Sequence, residues 1–314
     1  MVLVTKYPPI PRLSIVVPVG CDAAAFEATL VSVLENQPDG SEVIVCHDGD
    51  YDDPFSLAGE VRFVTAASND LVDAVSAGAT AAHGRFVHVL ADGLRATDGW
   101  ADSALEKFEH HDAGVVAPVI RSGLDQVILG AGWHDSADRL CKANASGKRK
   151  VSAGRKNIGA YLTASFWRRD LLRSLGKSCD LRDELEACYA YEWMSRDAGW
   201  RCVLADESNV ISDHDSINGD ESSWSRGTRL RAIRSSFQTG GWSKACKASM
   251  IATIANGFRP SMFAESIGQV FAPLSEASIT KSLRPQDVVA SDDGGAAMIH
   301  RMPERSFDVS RRAA

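Results

Sequence analysis

Short apolar runs alternate with longer amphipathic ones along the first hundred residues. Leu13-Ser-Ile-Val-Val-Pro-Val19 is β-branched and almost wholly apolar, the pattern of a strand buried on both faces that stops at its proline. Asp22 is placed to cap a helix, and Phe26, Leu30, Val33 and Leu34 recur at helical spacing until Gln37-Pro-Asp-Gly40 breaks the run. Residues 42–46 and 61–65 read as further strands, 71–82 as an Ala-rich helix closed by Gly84, and 85–90 as a fourth strand. Strands alternating with helices predict right-handed βαβ units and a parallel sheet. In such a sheet ligands gather at the C-terminal strand ends. The acidic loop with Asp48 and Asp50, and the segment Ala91-Asp-Gly93, are both delivered there.

These segments, in this order, resemble the family-2 glycosyltransferases. Four landmarks carry the likeness: Ser14-Ile-Val-Val-Pro-Val19 for the opening strand, and the strand from Glu42 into His47-Asp-Gly-Asp-Tyr-Asp52 for the family's Asp-Asp-Gly-Ser-x-Asp. The third is residues 77–90, for the helix that runs into the metal-bearing strand; the fourth is Gly99-Trp100. Residues 160–170 resemble the acceptor-side strand with its Arg-Arg-Asp, Arg196-Asp-Ala-Gly-Trp200 resembles the segment before the last strand, and His214 falls where many members place a histidine. Each motif alone is weak, and their order and spacing carry the reading.

The resemblance implies an α/β fold with a single, mostly parallel, Rossmann-like sheet of GT-A type flanked by helices. It implies transfer of a sugar from a nucleotide-diphosphate sugar donor to a glycan or lipid-linked acceptor. Pro18, Val19, Asp48, Asp50, Asp92 and Arg155 are then the nucleotide-binding candidates.

Where the family places the two carboxylates of Asp-x-Asp, this chain has Ala91 and Gly93, and neither can ligate a hard cation through its side chain. Asp92, in the middle position, and His214 remain as metal candidates, so the sequence predicts a poor site for Mg²⁺ or Mn²⁺. The family's Glu-Asp base pair maps, counting back from Gly199, onto Ala187-Cys188. Glu184 and Glu186 are the nearby carboxylates able to serve as catalytic base. The alternative reading is a catalytically inactive relative that binds a nucleotide sugar, a glycan or a partner protein, because fold does not guarantee chemistry. Asp48 has its own bland reading as a turn-capping aspartate. Lys148-Arg-Lys150 with Arg155 and Lys156 form a basic loop that either faces the donor phosphates or is a solvated charge cluster; Arg95 and Arg121 are other phosphate candidates.

Composition sets outer bounds. The chain has 314 residues, enough to bury a full core, and its net charge of −7 argues against a general nucleic-acid binder. Its charge is uneven: residues 222–260 hold no acid but carry Arg226, Arg229, Arg231, Arg234, Lys244, Lys247 and Arg259 among large apolar residues. This predicts one or two basic amphipathic helices, either lying on an anionic membrane with the basic residues turned away from the α/β domain, or capping that domain with Trp224, Phe237, Trp242 and Phe258 buried. Seven dispersed cysteines without a C-x-x-C suggest reduced thiols and a cytoplasmic protein, peripheral on the inner membrane face if the basic helices bind lipid. The expected division is a GT-A-like domain over 1–215, a helical extension over 216–280 and a disordered tail over 281–314.

Overall fold

The computed structural model describes residues 11–51, 53–54, 56–110, 112–151, 159–217, 222–237, 241–257 and 259–291. The first half forms as the alternation predicts: β1 (Leu13–Pro18), α1 (Ala23–Glu35), β2 (Glu42–His47), β3 (Arg62–Thr65), α2 (Leu71–Ala81) and β4 (Phe86–Leu90). Asp22 caps α1 by accepting hydrogen bonds from the amides of Ala24 and Ala25 at 3.0 and 3.1 Å. The helix buries Phe26, Leu30 and Val33 against the sheet, each contributing about 1.5–3 kcal/mol. Its partner α2 seats closely because Gly78 has no side chain: a Cβ there would lie 2.5 Å from Val16 Cγ1.

The second half contributes β5 (Leu94–Ala96), α3 (Asp102–Lys107), β6 (Ala113–Ser122), β7 (Ile128–Gly130), β8 (Trp133–His134), β9 (Lys142–Ala143), β10 (Ala164–Arg168), α4 (Arg169–Ser178), α5 (Glu184–Asp197) and β11 (Arg201–Ser212). The main sheet runs β3-β2-β1-β4-β10-β6-β11-β5, with β7 on β6. From β3 to β4 every pairing is parallel; β10 then lies antiparallel between β4 and β6, and β11 is parallel to β6. The sheet is therefore parallel where the βαβ units build it and mixed beyond. Its core includes Phe26, Trp100, Trp133, Phe166, Trp167, Tyr189 and Tyr191, all fully buried.

His88 is the polar exception in that core. It lies mid-β4 with its ring 4.5 Å from Trp100 and 3.8 Å from Phe166, and burial holds it well below the ordinary histidine value of 6.5. A proton taken up by the unfolded chain below pH 6.5 is thus refused by the fold until a lower pH. Stability should fall by about 1.4 kcal/mol per pH unit in that window. Denaturant titrations of wild type and His88→Leu between pH 7 and 5 check this: the variant should lose that component of the slope.

After β11 come α6 (Trp224–Phe237), α7 (Gly241–Ala255), α8 (Pro260–Gly268) and α9 (Pro273–Ser282). The expectation that the basic residues of this region turn away from the α/β domain fails for α6. Arg229 pairs with Glu186 and Arg234 with Asp135, while Arg226 pairs with Glu265 and Arg231 bonds Gln269 inside the helical layer. Guanidinium groups are weakly hydrated and planar, so they tolerate burial when a carboxylate or amide oxygen meets them. Trp224 stays partly exposed, Phe237 is half-buried against Trp193, and Phe258 and the side chain of Trp242 lie outside the described residues. Residues 281–291, read above as the start of a tail, are ordered, with Leu283, Val288 and Ser291 buried. Asp180 donates its amide to Ser282 O, and Ser291 donates to Ala198 O. Residues 292–314 lie outside the described residues.

Candidate active site

Three strand ends and one helix start converge at the C-terminal edge of the parallel half. At the end of β1, Val19 donates its amide to Cys46 O at 2.8 Å, and the chain turns through Gly20 into α1. Beyond β2, Asp48 is exposed and its Oδ1 accepts from the amide of Asp50 at 3.1 Å, so it braces its own loop around Gly49, whose φ is +113°. After β4 the chain turns at Ala91 to Leu94, with Leu94 donating to Ala91 O and Gly93 at φ +74°, a conformation that suits glycine. The amide of Ala91 donates to Thr163 O at 2.9 Å, which ties this turn to the approach to β10. Because β1 lies between β2 and β4, the strand ends that lead to Asp48 and Asp92 share one edge, two strand spacings or about 10 Å apart.

Asp92 is half-buried and lies against the β1 turn: a Cβ on Gly20 would be 2.2 Å from its Oδ2. Burial raises its carboxyl above the usual value and nearby Asp22 adds to this, while His214 pulls it down. His214 itself stands on the loop after β11, where Ser212 Oγ accepts from its amide. A Cβ on Gly93 would meet its Nε2 at 2.3 Å. The imidazole thus occupies the space in which the family's third-position carboxylate would begin.

The two glutamates separate clearly. Asp183 caps α5 by accepting from the amide of Glu186 at 3.0 Å, which places Glu184 as the first helical residue. Burial first, then Asp183 and then Asp92, push the Glu184 carboxyl up to about 7. Glu184 and Asp92 are thus within electrostatic reach of one another. Glu186 turns the other way and is held by both donors of Arg229 on α6. Ala187 and Cys188, at the counted position of the family's base pair, are buried, and Cys188 Sγ donates to Ala160 O at 3.0 Å.

One helical turn deeper lies Glu192, a residue the sequence reading did not single out. It shares the face of Glu184 and Cys188 at i+8 and i+4. Fully buried, it accepts from the amide of Ala160 at 2.8 Å and is pushed up to about 8 by burial. It fixes the segment that leads to Thr163.

Asp92, Thr163, Ser212, His214, Ser216 and Ile217 help line a cavity of about 20 Å³ beneath the turn, room for roughly one water. Arg95 is engaged by Asp213, and Arg121 by Asn209 together with the carbonyls of Gln126 and Arg149. Arg155 and Lys156, with the rest of 152–158, lie outside the described residues.

The comparisons with known proteins agree with this architecture. No curated protein sequence matches the chain. Among solved structures 207 chains match, including one described as the crystal structure of GalNAc-T7 with UDP, GalNAc and Mn²⁺, at 13% identity and a TM-score of 0.54. The superposition covers 85% of this chain and 58% of that one. Identity this low establishes a shared GT-A type fold and nothing finer, and this chain corresponds to little more than half the length of that relative. A family model described as glycosyl transferase family 2 matches residues 14–172, from β1 into α4. That match takes in just over half of the chain and the ends of β1, β2 and β4 at the cleft, and on it the protein belongs to glycosyl transferase family 2.

Proposed function

We propose that this protein transfers a glycosyl group from a nucleoside diphosphate sugar to an acceptor hydroxyl with inversion, using Glu184 as the base. The observation that carries this is the placing of Glu184, raised to about 7, in electrostatic reach of Asp92 at the strand-end edge. A base with a value near neutrality is ionised often enough to accept a proton and basic enough to pull it. The acceptor oxygen attacks the anomeric carbon as its proton passes to Glu184. The bond from that carbon to the diphosphate breaks, and its electron pair leaves with the phosphate oxygen. The nucleotide is placed along the loops of Pro18, Val19, Asp48, Asp50 and Asp92, because a ligand of this size needs several hundred Å³ and the cavity under the turn offers about 20 Å³.

The Mn²⁺ of the GalNAc-T7 structure raises the question of a metal here. The residues present are a poor set for one. Ala91 and Gly93 bring no donor, Asp92 is one carboxylate, and His214 is a nitrogen ligand where a hard cation favours oxygen. Among the described residues no three His, Cys, Asp or Glu side chains are gathered to hold an ion. No step is therefore drawn through a metal, and departing charge is assigned to basic side chains, with Arg155 and the Lys148 loop as candidates.

Calorimetry with a panel of nucleotide sugars should show Mn²⁺ changing the donor Kd by less than about tenfold. A hundredfold tightening, nearly 3 kcal/mol, would mean that a cation site exists in this cleft. Restoring Ala91→Asp with Gly93→Asp should raise metal dependence only when His214→Ala clears the space that its ring occupies.

The enzyme reading is tested by following nucleoside diphosphate release with that panel and with glycan and lipid-linked acceptors. Turnover lost in Glu184→Gln supports it. Donor binding without turnover in any pairing would instead favour a catalytically inactive relative, a reading to which the His214 ring against Gly93 lends weight.

A further inference from the structure

The helical layer after β11 buries several charged groups and leaves large apolar ones exposed. Its buried side sets polar pairs beside Leu230, Ile233 and Ile279: Arg226 and Arg139 meet Glu265, Arg231 meets Gln269, and Asn256 bonds Ser266. Two glycines let backbones touch there, since a Cβ on Gly227 would collide with Glu265 O and one on Gly268 with Trp224 O. Among its described side chains, helix α7 buries the small residues Ser249 and Ala252 and turns Met250, Ile251 and Ile254 out. Met250 is 63% exposed and Ile254 78%, with Ile251 beside them. Together with exposed Lys247 they sit at i, i+3, i+4 and i+7, one continuous stripe of the helix. The same pattern continues beyond it in Phe263, Phe271 and Leu274, the last 76% exposed.

A helix facing water buries its apolar stripe; α7 leaves its own exposed. Such a surface calls for an apolar cover. Charge says which kind. Between residues 222 and 275 the sole acid is Glu265, which is buried in its ion pairs. Exposed Lys247 and Arg259 bracket the stripe on an otherwise acidic chain of net charge −7. No described helix is long and apolar enough to cross a membrane, so the fitting geometry is a helix lying in the interface plane.

We infer that the outer face of α7, continued by Phe263, Phe271 and Leu274, docks on the surface of an anionic lipid bilayer. The apolar stripe enters the acyl boundary while Lys247 and Arg259 reach the headgroups. Binding in this mode needs both components. The basic residues of α6 do not contribute, because they are spent inside the fold.

The test is sedimentation of the full chain with vesicles of phosphatidylcholine containing 30% phosphatidylglycerol, in parallel with pure phosphatidylcholine. Strong binding to the anionic vesicles at low salt is expected, weakened on the neutral ones and by 0.5 M salt. Ile251→Asp with Ile254→Asp should lower partitioning at least tenfold, and Lys247→Ala and Arg259→Ala about fivefold for each charge removed. These positions are exposed, so unchanged circular dichroism and melting would confirm that the variants fold. Absent binding to anionic vesicles at low salt, or equal binding by the Asp variant, overturns the inference. So does a concentration-dependent dimer in ultracentrifugation that Ile254→Asp abolishes, with no vesicle binding, since the stripe would then be a contact between copies.

Discussion

Glu184→Gln is expected to lower turnover by about 10²–10⁴-fold with little change in donor affinity. That is the range spanned by removal of a positioned general base, and the amide keeps the shape of the carboxylate while losing its proton affinity. The pH profile supplies a stronger test than the rate alone. With Glu184 raised to about 7, the fraction able to accept a proton grows as pH rises through that value, so kcat/KM should rise with pH through about 7 and then level. Asp92 contributes to the raised value, so Asp92→Asn should move that rise toward lower pH. Glu186→Gln is the contrasting case. It weakens the pairing with Arg229, a partly exposed contact worth about 1 kcal/mol, and should leave the rise near pH 7 in place. A profile that is flat in the wild type, or follows Glu186 and not Glu184, would refute the assignment.

That assignment depends on contacts the sequence does not display. Glu184 and Glu186 are two residues apart at the start of one helix and indistinguishable by type. They part company only because Arg229, more than forty residues later, claims one of them. The filled space at Gly93 is equally hidden, since His214 reaches it from the far end of β11. By contrast, the strand and helix succession from Leu13 to Leu90 was legible because burial on both faces, helical periodicity and the Asp22 cap are local signals. Strand direction beyond β4 was not. A buried run such as Ala164–Arg168 carries no mark of whether its neighbours run with it or against it, and the structure sets it antiparallel. The basic stretch after residue 222 left its two readings open for a related reason. Composition shows how many arginines a helix carries, but whether they face water depends on distant acids, here Asp135, Glu186 and Glu265.

Removing one of those acids should therefore be costly. Glu265 has 2% of its side chain exposed and lies between Arg226 and Arg139, which are nearly as buried at 5% and 10%. Glu265→Ala removes a carboxylate shared by two guanidinium groups in a region that water does not reach. Arg226 keeps bonds to the carbonyls of Leu140 and Cys141 at 3.2 Å, which satisfy hydrogens but not charge. Loss of one member of a buried pair typically costs about 3–5 kcal/mol, a drop of roughly 5–15 °C in melting temperature for a chain of this size. Glu265→Gln, which keeps an acceptor, should fall short of that loss. Replacing both partners together, Arg226→Met with Glu265→Leu, should cost less than Glu265→Ala alone, because the buried Arg226 charge is removed along with the carboxylate it meets. Thermal melts and denaturant titrations of the three variants measure this directly. A double change more damaging than the single one would show that the pair contributes net stability and is not simply a compensated burden of the helical layer.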